Sequence, residues 1–398
     1  MNICHIITRL IIGGAQENTL LTCQGLHERG HRVTLITGPE AGPEGSLLAE
    51  ARSGGYQVEV IASLRRAVRP FTDLRARRDL CRILTAIRPT IVHTHSSKAG
   101  VLGRIAARDV GIPAIVHTIH GLSFNRTQSA PVRFLYRGLE RYCARFTDCL
   151  VSVADAMSAQ AVAAGIAEPD KFTTIYSGMR TELFSPERFD RQAIRRSWGV
   201  GEDEVVIGTV ARLFRNKGYE QLIPAMAAAV RQDPRLRFVW VGGGAQRDEY
   251  VRQLDTLGLL PRVVLTGLVP PEQVPQMLAG MDLLVHASQW EGLPRVAVQA
   301  LLMGVPVISF DIDGAPEVVI PDQTGMLVPL NDVTGLAKAM VTLAGDPALR
   351  ARFGRAGREL CLRRFDWHVM VEQLERLYSN LVRPQEHAQD STRMSRSE

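Results

Sequence analysis

Two cations five residues apart, Arg212 and Lys217, stand just ahead of Gly218 and a helical stretch. Arginine offers a planar fork and lysine a point charge; beside the free amides of a helix start, such a pair suits a diphosphate. A solvated basic loop would show the same residues. A second pattern is Glu291-Gly292-Leu293-Pro294-Arg295, running on through Val296 to Gln299. Pro294 suits a first helical position and Gly304 a C-terminal cap. The amides of residues 292–296 would then point at an anion, with Glu291 at the mouth to accept hydrogen bonds from hydroxyls. Gln299 follows about 8 Å beyond Pro294 at 1.5 Å per residue. Carboxylate, amides and side-chain amide in that order could span a sugar, a diphosphate and a ribose. The plain alternative is a capped helix with one acidic residue ahead of it. Gly242-Gly243-Gly244 follows a strand but lacks the GxGxxG spacing, which argues against a nicotinamide dinucleotide.

These residues need elements to hold them. In the first half, apolar runs at Asn2–Thr8, Arg32–Thr37, Val58–Ile61, Ile91–Thr94, Ala114–Thr118 and Cys149–Ser152 read as strands. Helical spacing lies between them at Ala15–Glu28, Leu74–Ile87 and Lys98–Arg108. Continuous apolar strands alternating with amphipathic helices indicate a parallel sheet covered on both faces. The pattern restarts after a polar, turn-rich stretch at 181–203, read as a linker, with strands at Val205–Val210, Arg237–Val241, Val263–Thr266, Leu283–His286 and Val305–Ser309. The fold class is therefore α/β, two doubly wound Rossmann-like domains over 1–184 and 185–366, with ligands expected beyond the carboxyl ends of the strands, in a cleft that both domains face. A last helix at 367–381 is expected to pack back on the first domain, and the tail at 383–398 to be disordered.

A chain of 398 residues suits two domains, and 45% hydrophobic with 22% charged residues are globular values. No apolar run reaches the roughly 18 residues of a membrane span. The opening residues read as a first strand, not a signal peptide. Six scattered cysteines without a CxxC pair suggest a reduced, cytoplasmic setting without disulfides or a zinc site. Residues 1–184 carry 22 Lys+Arg against 15 Asp+Glu, and the remainder 25 against 26. The basic half suggests an anionic partner such as a membrane surface, a lipid phosphate or an acidic glycan. No aromatic-interleaved basic stripe points to nucleic acid.

Taken in order, Arg212 and Lys217, Val241-Gly242-Gly243-Gly244, Leu265-Thr266-Gly267-Leu268-Val269 and Glu291…Gln299 resemble retaining glycosyltransferases of family 4, with the GT-B fold. Gly13-Gly14-Ala15-Gln16-Glu17 looks like that family's glycine turn after the first strand. Val92-His93-Thr94-His95 and His117-Thr118-Ile119-His120-Gly121 look like its acceptor-side strand ends, and Ile175-Tyr176-Ser177-Gly178-Met179 like its passage between domains. The resemblance covers residues 1–380 and implies catalytic roles for His120, Arg212, Lys217 and Glu291. Gly13, Gly14, Gly243, Leu268, Val269, Gly292, Leu293, Pro294, Arg295, Val296 and Gln299 would bind the donor. Gly14 would admit the diphosphate, Arg212 and Lys217 neutralise it, Glu291 take sugar hydroxyls, the 293–296 amides hold phosphate, and His120 lie near the sugar. Gln299 departs from the pattern, since the family usually carries a second Glu there for the ribose hydroxyls.

The implied reaction moves a sugar from a nucleoside-diphosphate sugar, a UDP-sugar foremost, to a glycan or lipid-linked acceptor in polysaccharide or glycolipid synthesis. Anomeric configuration is kept and no metal or other cofactor is needed. Asp311-Ile312-Asp313 spells the DxD that holds a metal in another glycosyltransferase fold, but here a structural or ligand-rim role is expected. Basic segments at 64–82 and 126–145 carry Phe71, Phe134, Leu135, Tyr136 and Tyr142 and suit peripheral docking on an anionic membrane. Two other classes remain open: a catalytically weak nucleotide-sugar-binding protein, suggested by Gln299, and a nucleotide-sugar epimerase of similar architecture.

Overall fold

The computed structural model describes residues 1–39, 45–124 and 128–382. Two compact units emerge, Met1–Met179 with the chain from Trp367 onward, and Arg180–Asp366.

The first unit holds strands β1 (Asn2–Ile6), β2 (Arg32–Thr37), β3 (Gln57–Val60), β4 (Ile91–His95), β5 (Ala114–Ile119), β6 (Cys149–Ser152) and β7 (Phe172–Thr174). All pair in parallel, in the order β3-β2-β1-β4-β5-β6-β7. The connecting helices are α1 (Gly14–Glu28), α2 (Leu48–Ser53), α3 (Pro70–Ile87), α4 (Ser97–Asp109), α5 (Ala130–Ala144) and α6 (Asp155–Ala163). β4 and β5 are buried along their whole length, as strands covered by helices on both faces must be. The order reverses between β1 and β4, which opens a switch point beyond their carboxyl ends.

The second unit holds α7 (Arg191–Ser197), β8 (Val205–Val210), α8 (Tyr219–Gln232), β9 (Leu236–Val241), α9 (Arg247–Thr256), β10 (Val263–Gly267) and α10 (Val274–Ala279). After these come β11 (Leu283–His286), α11 (Arg295–Leu302), β12 (Val307–Phe310), β13 (Gly325–Val328), α12 (Val333–Gly345) and α13 (Pro347–Arg364). Its parallel sheet runs β10-β9-β8-β11-β12-β13, with the reversal between β8 and β11. The final helix, α14 (Trp367–Val382), packs on α1, where Trp367, Met370, Val371 and Leu374 join Leu20, Leu21 and Leu26 in the core of the first unit.

Three readings change. The 181–203 stretch is no plain linker. α7 lies within it, burying Ile194, and Arg191 and Arg195 grip the Asp282 carboxylate at 2.7 and 2.8 Å while Val206 N donates to it at 2.7 Å. Buried charges need such pairing, so a polar sequence here marks a packed element. Pro294 is the cap of α11, not its first residue: its carbonyl accepts from Ala297 N and Val298 N while its ψ of 86° lies outside the helix. Edge strands β7 and β13, only three and four residues long, have no matching sequence reading. The expected tail at 383–398 lies outside the described residues.

Candidate active site

In the second unit the residues of interest gather at the β8/β11 switch point. Arg212 and Lys217 follow β8, and Glu291 follows β11. Gly218 positions the first loop: at φ 74° it is left-handed, and a Cβ there would stand 1.8 Å from Ala287 O. Only glycine lets the Lys217 turn lie against the end of β11. Asn216 O also accepts from Gln289 N at 3.0 Å, tying the two loops together. Across that seam Lys217 Nζ pairs with Glu291 Oε1, and His286 Nε2 lies 3.4 Å from the same oxygen. Burial pushes the Glu291 carboxyl up, but hydrogen bonding from His286 and the Lys217 charge outweigh it. The group is held well below the usual carboxylate range.

The Arg212 guanidinium sits 5.0 Å from the centre of the Phe214 ring. Gly243 O accepts from Leu213 N at 2.9 Å, and Gly243 lies near Leu268 at the end of edge strand β10, where Leu268 is exposed and Val269 half-buried. Gly292, Arg295, Val296 and Gln299 are half-buried, Leu293 and Pro294 buried; all belong to the loop and first turns of α11. Gly292 O accepts from Gly314 N at 3.2 Å.

In the first unit, Gly13 is the cap of α1, and its carbonyl accepts from Glu17 N at 3.0 Å. Gly14 opens the helix, and Ala15 lines a cavity of about 280 Å³ together with Ser96, His117, His120, Phe124 and Glu140. Behind His120 lies a set of buried imidazoles. His95 Nδ1 stands 3.1 Å from His120 Nε2, His5 Nδ1 stands 2.9 Å from His95 Nε2, and His93 bonds Tyr378 and, at 2.6 Å, Thr118. Burial pushes His5 down to about 3; burial and then neighbouring charges push His93, His95 and His117 well down, so these rings are neutral at neutral pH.

Two family descriptions span most of the sequence. "Glycosyl transferase 4-like domain" matches residues 13–178, and "Glycosyl transferases group 1" matches residues 190–360. The UDP-Gal:alpha-D-GlcNAc-diphosphoundecaprenol alpha-1,3-galactosyltransferase of Escherichia coli is 28% identical over 386 residues, 96% of this chain and 97% of the relative. The D-inositol 3-phosphate glycosyltransferase of Saccharomonospora viridis is 31% identical over 305 residues, covering 72% of this chain and 69% of the relative. The chain belongs to the group 1 glycosyltransferases. Its fold agrees with Anabaena Alr3699/HepE, solved in complex with UDP, at a TM-score of 0.81 and 23% identity over 96% of this chain and 100% of that one. This is the GT-B fold.

Two residues beside Glu291 in the second unit and one beside the cavity of the first are not among the site residues singled out in the sequence. His286 ends β11 and touches Glu291; a polar residue closing an otherwise apolar strand was the available signal. Asp313, at φ 43°, accepts from Glu291 N at 2.7 Å, so the second acid of Asp311-Ile312-Asp313 braces the Glu291 loop. Ser96, at φ 62°, follows β4 and caps α4 at the cavity, with Oγ 2.8 Å from Thr8 Oγ1. Non-glycine residues in this strained region cluster at functional sites. Among the described residues, His5, His93 and His95 are the group whose ligand atoms, all within 4.8 Å, could share a metal ion. Three imidazoles suit zinc by type, yet all of their nitrogens except His5 Nε2 already bond one another, Tyr378, Thr118 or His120.

Proposed function

We propose that this glycosyltransferase moves one sugar from a UDP-sugar to a lipid-linked or glycan acceptor, with retention of configuration and without a metal. The observation that carries the reading is the ionised Glu291 held against Lys217 at the β8/β11 switch point. An arriving diphosphate brings more negative charge than one carboxylate and competes for the Lys217 ammonium. That releases Glu291 to accept hydrogen bonds from sugar hydroxyls. Arg212, Lys217 and the leading amides of α11 then neutralise the departing diphosphate. The bond from the anomeric carbon to the phosphate oxygen breaks, the acceptor oxygen bonds to that carbon on the same face, and the hydroxyl proton passes to the leaving diphosphate. Charge neutralisation prepared in advance supplies most of the rate. UDP is favoured because the Escherichia coli relative is named for UDP-Gal and Alr3699/HepE was solved with UDP.

The diphosphoundecaprenol in that relative's name supports a lipid-linked acceptor here, and with it work at a membrane surface. Among the described residues no helix is long and apolar enough to cross one. α4 packs against both α3 and α5, and these two expose Phe71, Phe134 and Leu135 among exposed Arg69, Arg75, Arg133 and Arg137. Exposed apolar side chains with cations near them in sequence suit an anionic lipid surface. Tyr142 is engaged instead, accepting from Arg108 Nη1 at 2.7 Å, and Arg126 lies outside the described residues.

The test is Lys217→Ala. Loss of a prepared cation should lower kcat about 100-fold or more. Unchanged turnover in both Lys217→Ala and Arg212→Ala would sink the mechanism.

A further inference from the structure

Three neighbouring strand ends of the first unit place three imidazoles in a line. His5 lies in β1, His95 ends β4 and His120 follows β5, and the sheet order is β1-β4-β5. The registers His5↔His93 and His95↔Thr118, with the two-residue period of a strand, put His5, His93, His95, Thr118 and His120 on one face. Ring centres are 5.2 Å apart for His5 and His95 and 5.4 Å for His95 and His120, with planes within 19° and 30°. With the nitrogen contacts of 2.9 and 3.1 Å, this is edge-to-edge hydrogen bonding. His93 stacks on His95 at 4.4 Å and is itself held by Tyr378 and Thr118, so the middle ring is fixed.

A neutral imidazole carries one proton, so the line has one of two directions. If His120 donates inward through Nε2, His95 donates to His5, and His5 must carry its proton on Nε2. That atom is buried without a hydrogen-bond partner. If the line runs outward, His5 Nδ1–H donates to His95 Nε2, and His95 Nδ1–H donates to His120 Nε2. Only a lone pair on His5 is then left unmet. An orphaned buried N–H is the rarer defect, which favours the outward direction.

We propose that His5 and His95 are positioning residues that lock His120 in its Nδ1–H tautomer, so that it acts on the sugar nucleotide as a hydrogen-bond donor through Nδ1. Its Nε2 lone pair is spent on His95 and is not available as a base. His120 lines the cavity of the first unit, and an N–H there suits a sugar or phosphate oxygen. This donor role rests on the transferase reading above; the tautomer lock does not.

The test is a long-range ¹H–¹⁵N correlation on protein labelled at histidine, with the His120 signals assigned by their loss in His120→Asn. At pH 7.5 the wild type is expected to show a protonated Nδ1 and a bare Nε2. His95→Phe is expected to lose this preference, and His95→Asn, whose amide can donate near the place of Nδ1–H, to restore it. His5→Phe removes the inner end of the line and should leave His120 in both tautomers, which keeps the test open should His95→Phe not fold. A protonated Nε2 on wild-type His120, or a lock that survives both Phe variants, overturns the proposal. In the transfer assay His95→Phe should lower kcat about tenfold, the scale of one hydrogen bond, with a smaller change in donor KM and recovery in His95→Asn. An unchanged kcat in a variant that has lost the lock overturns the donor role. A lock present in a protein that releases no nucleoside diphosphate overturns the transferase reading and leaves the lock standing.

Discussion

Lowering the pH from about 7.5 to about 5.5 should weaken the first unit before ordinary carboxylates titrate. Burial alone for His5, burial and then neighbouring imidazoles for His93 and His95, and burial and then the Arg104 charge for His117 keep these rings from taking a proton in the native state. The unfolded chain protonates the same rings at about pH 6.5. Their folded values lie below that, so their contribution to stability is whole above about pH 6.5 and is lost as the pH falls toward the folded values. At pH 5.5 one such ring removes about 1.4 kcal/mol, and four together about 5 kcal/mol. Against a margin of about 5–15 kcal/mol for a typical protein, that is a large share. Amide exchange at pH 7.5, 6.5 and 5.5, corrected for the intrinsic rate, reads it strand by strand. Protection in β1, β4 and β5 should fall, and His117→Asn should remove about a quarter of the dependence. Protection in those strands that stays level down to pH 5.5 would refute the reasoning.

Gly218→Ala should destabilise the second unit by about 2 kcal/mol or more and weaken donor binding, because its Cβ meets Ala287 O in a left-handed turn; thermal unfolding with and without UDP reads both effects. Asp282→Asn breaks the pairing that fixes α7 to the sheet and should cost about 3 kcal/mol in urea unfolding, with little change in donor KM. Gln299→Glu restores the acidic residue usual at this place in the family and should raise donor affinity, read by calorimetry against UDP; weaker binding would contradict the ribose assignment. Vesicles with and without anionic lipid should capture the wild type unequally, and Phe71→Ser with Phe134→Ser should abolish the difference without lowering turnover on a soluble acceptor.

Both parallel sheets were legible in the sequence, because their central strands are continuous apolar runs and their helices keep an amphipathic period. β7 and β13 were not, since three or four residues at a sheet edge carry too little pattern. Lys217 and Glu291 stood out by type and position after strands, and the fold brings them into contact. His286 and Asp313 both contact Glu291, and no spacing rule links residue 313 to residue 291; only the return of the chain after β12 does. His120 was visible through resemblance, whereas His5 was not, because one histidine in a buried strand looks like packing until its neighbours in the sheet are known. α7 was hidden by its arginines, whose charges are met by Asp282 some ninety positions later.

The most direct measurement is nucleoside diphosphate release from a panel of UDP-, GDP- and ADP-sugars, with and without a chelator. The account predicts release from a UDP-sugar, equal in both conditions and lost in Glu291→Ala. Release that needs a metal, or that survives Glu291→Ala, would contradict it, as would a protein whose melting temperature no donor in the panel shifts.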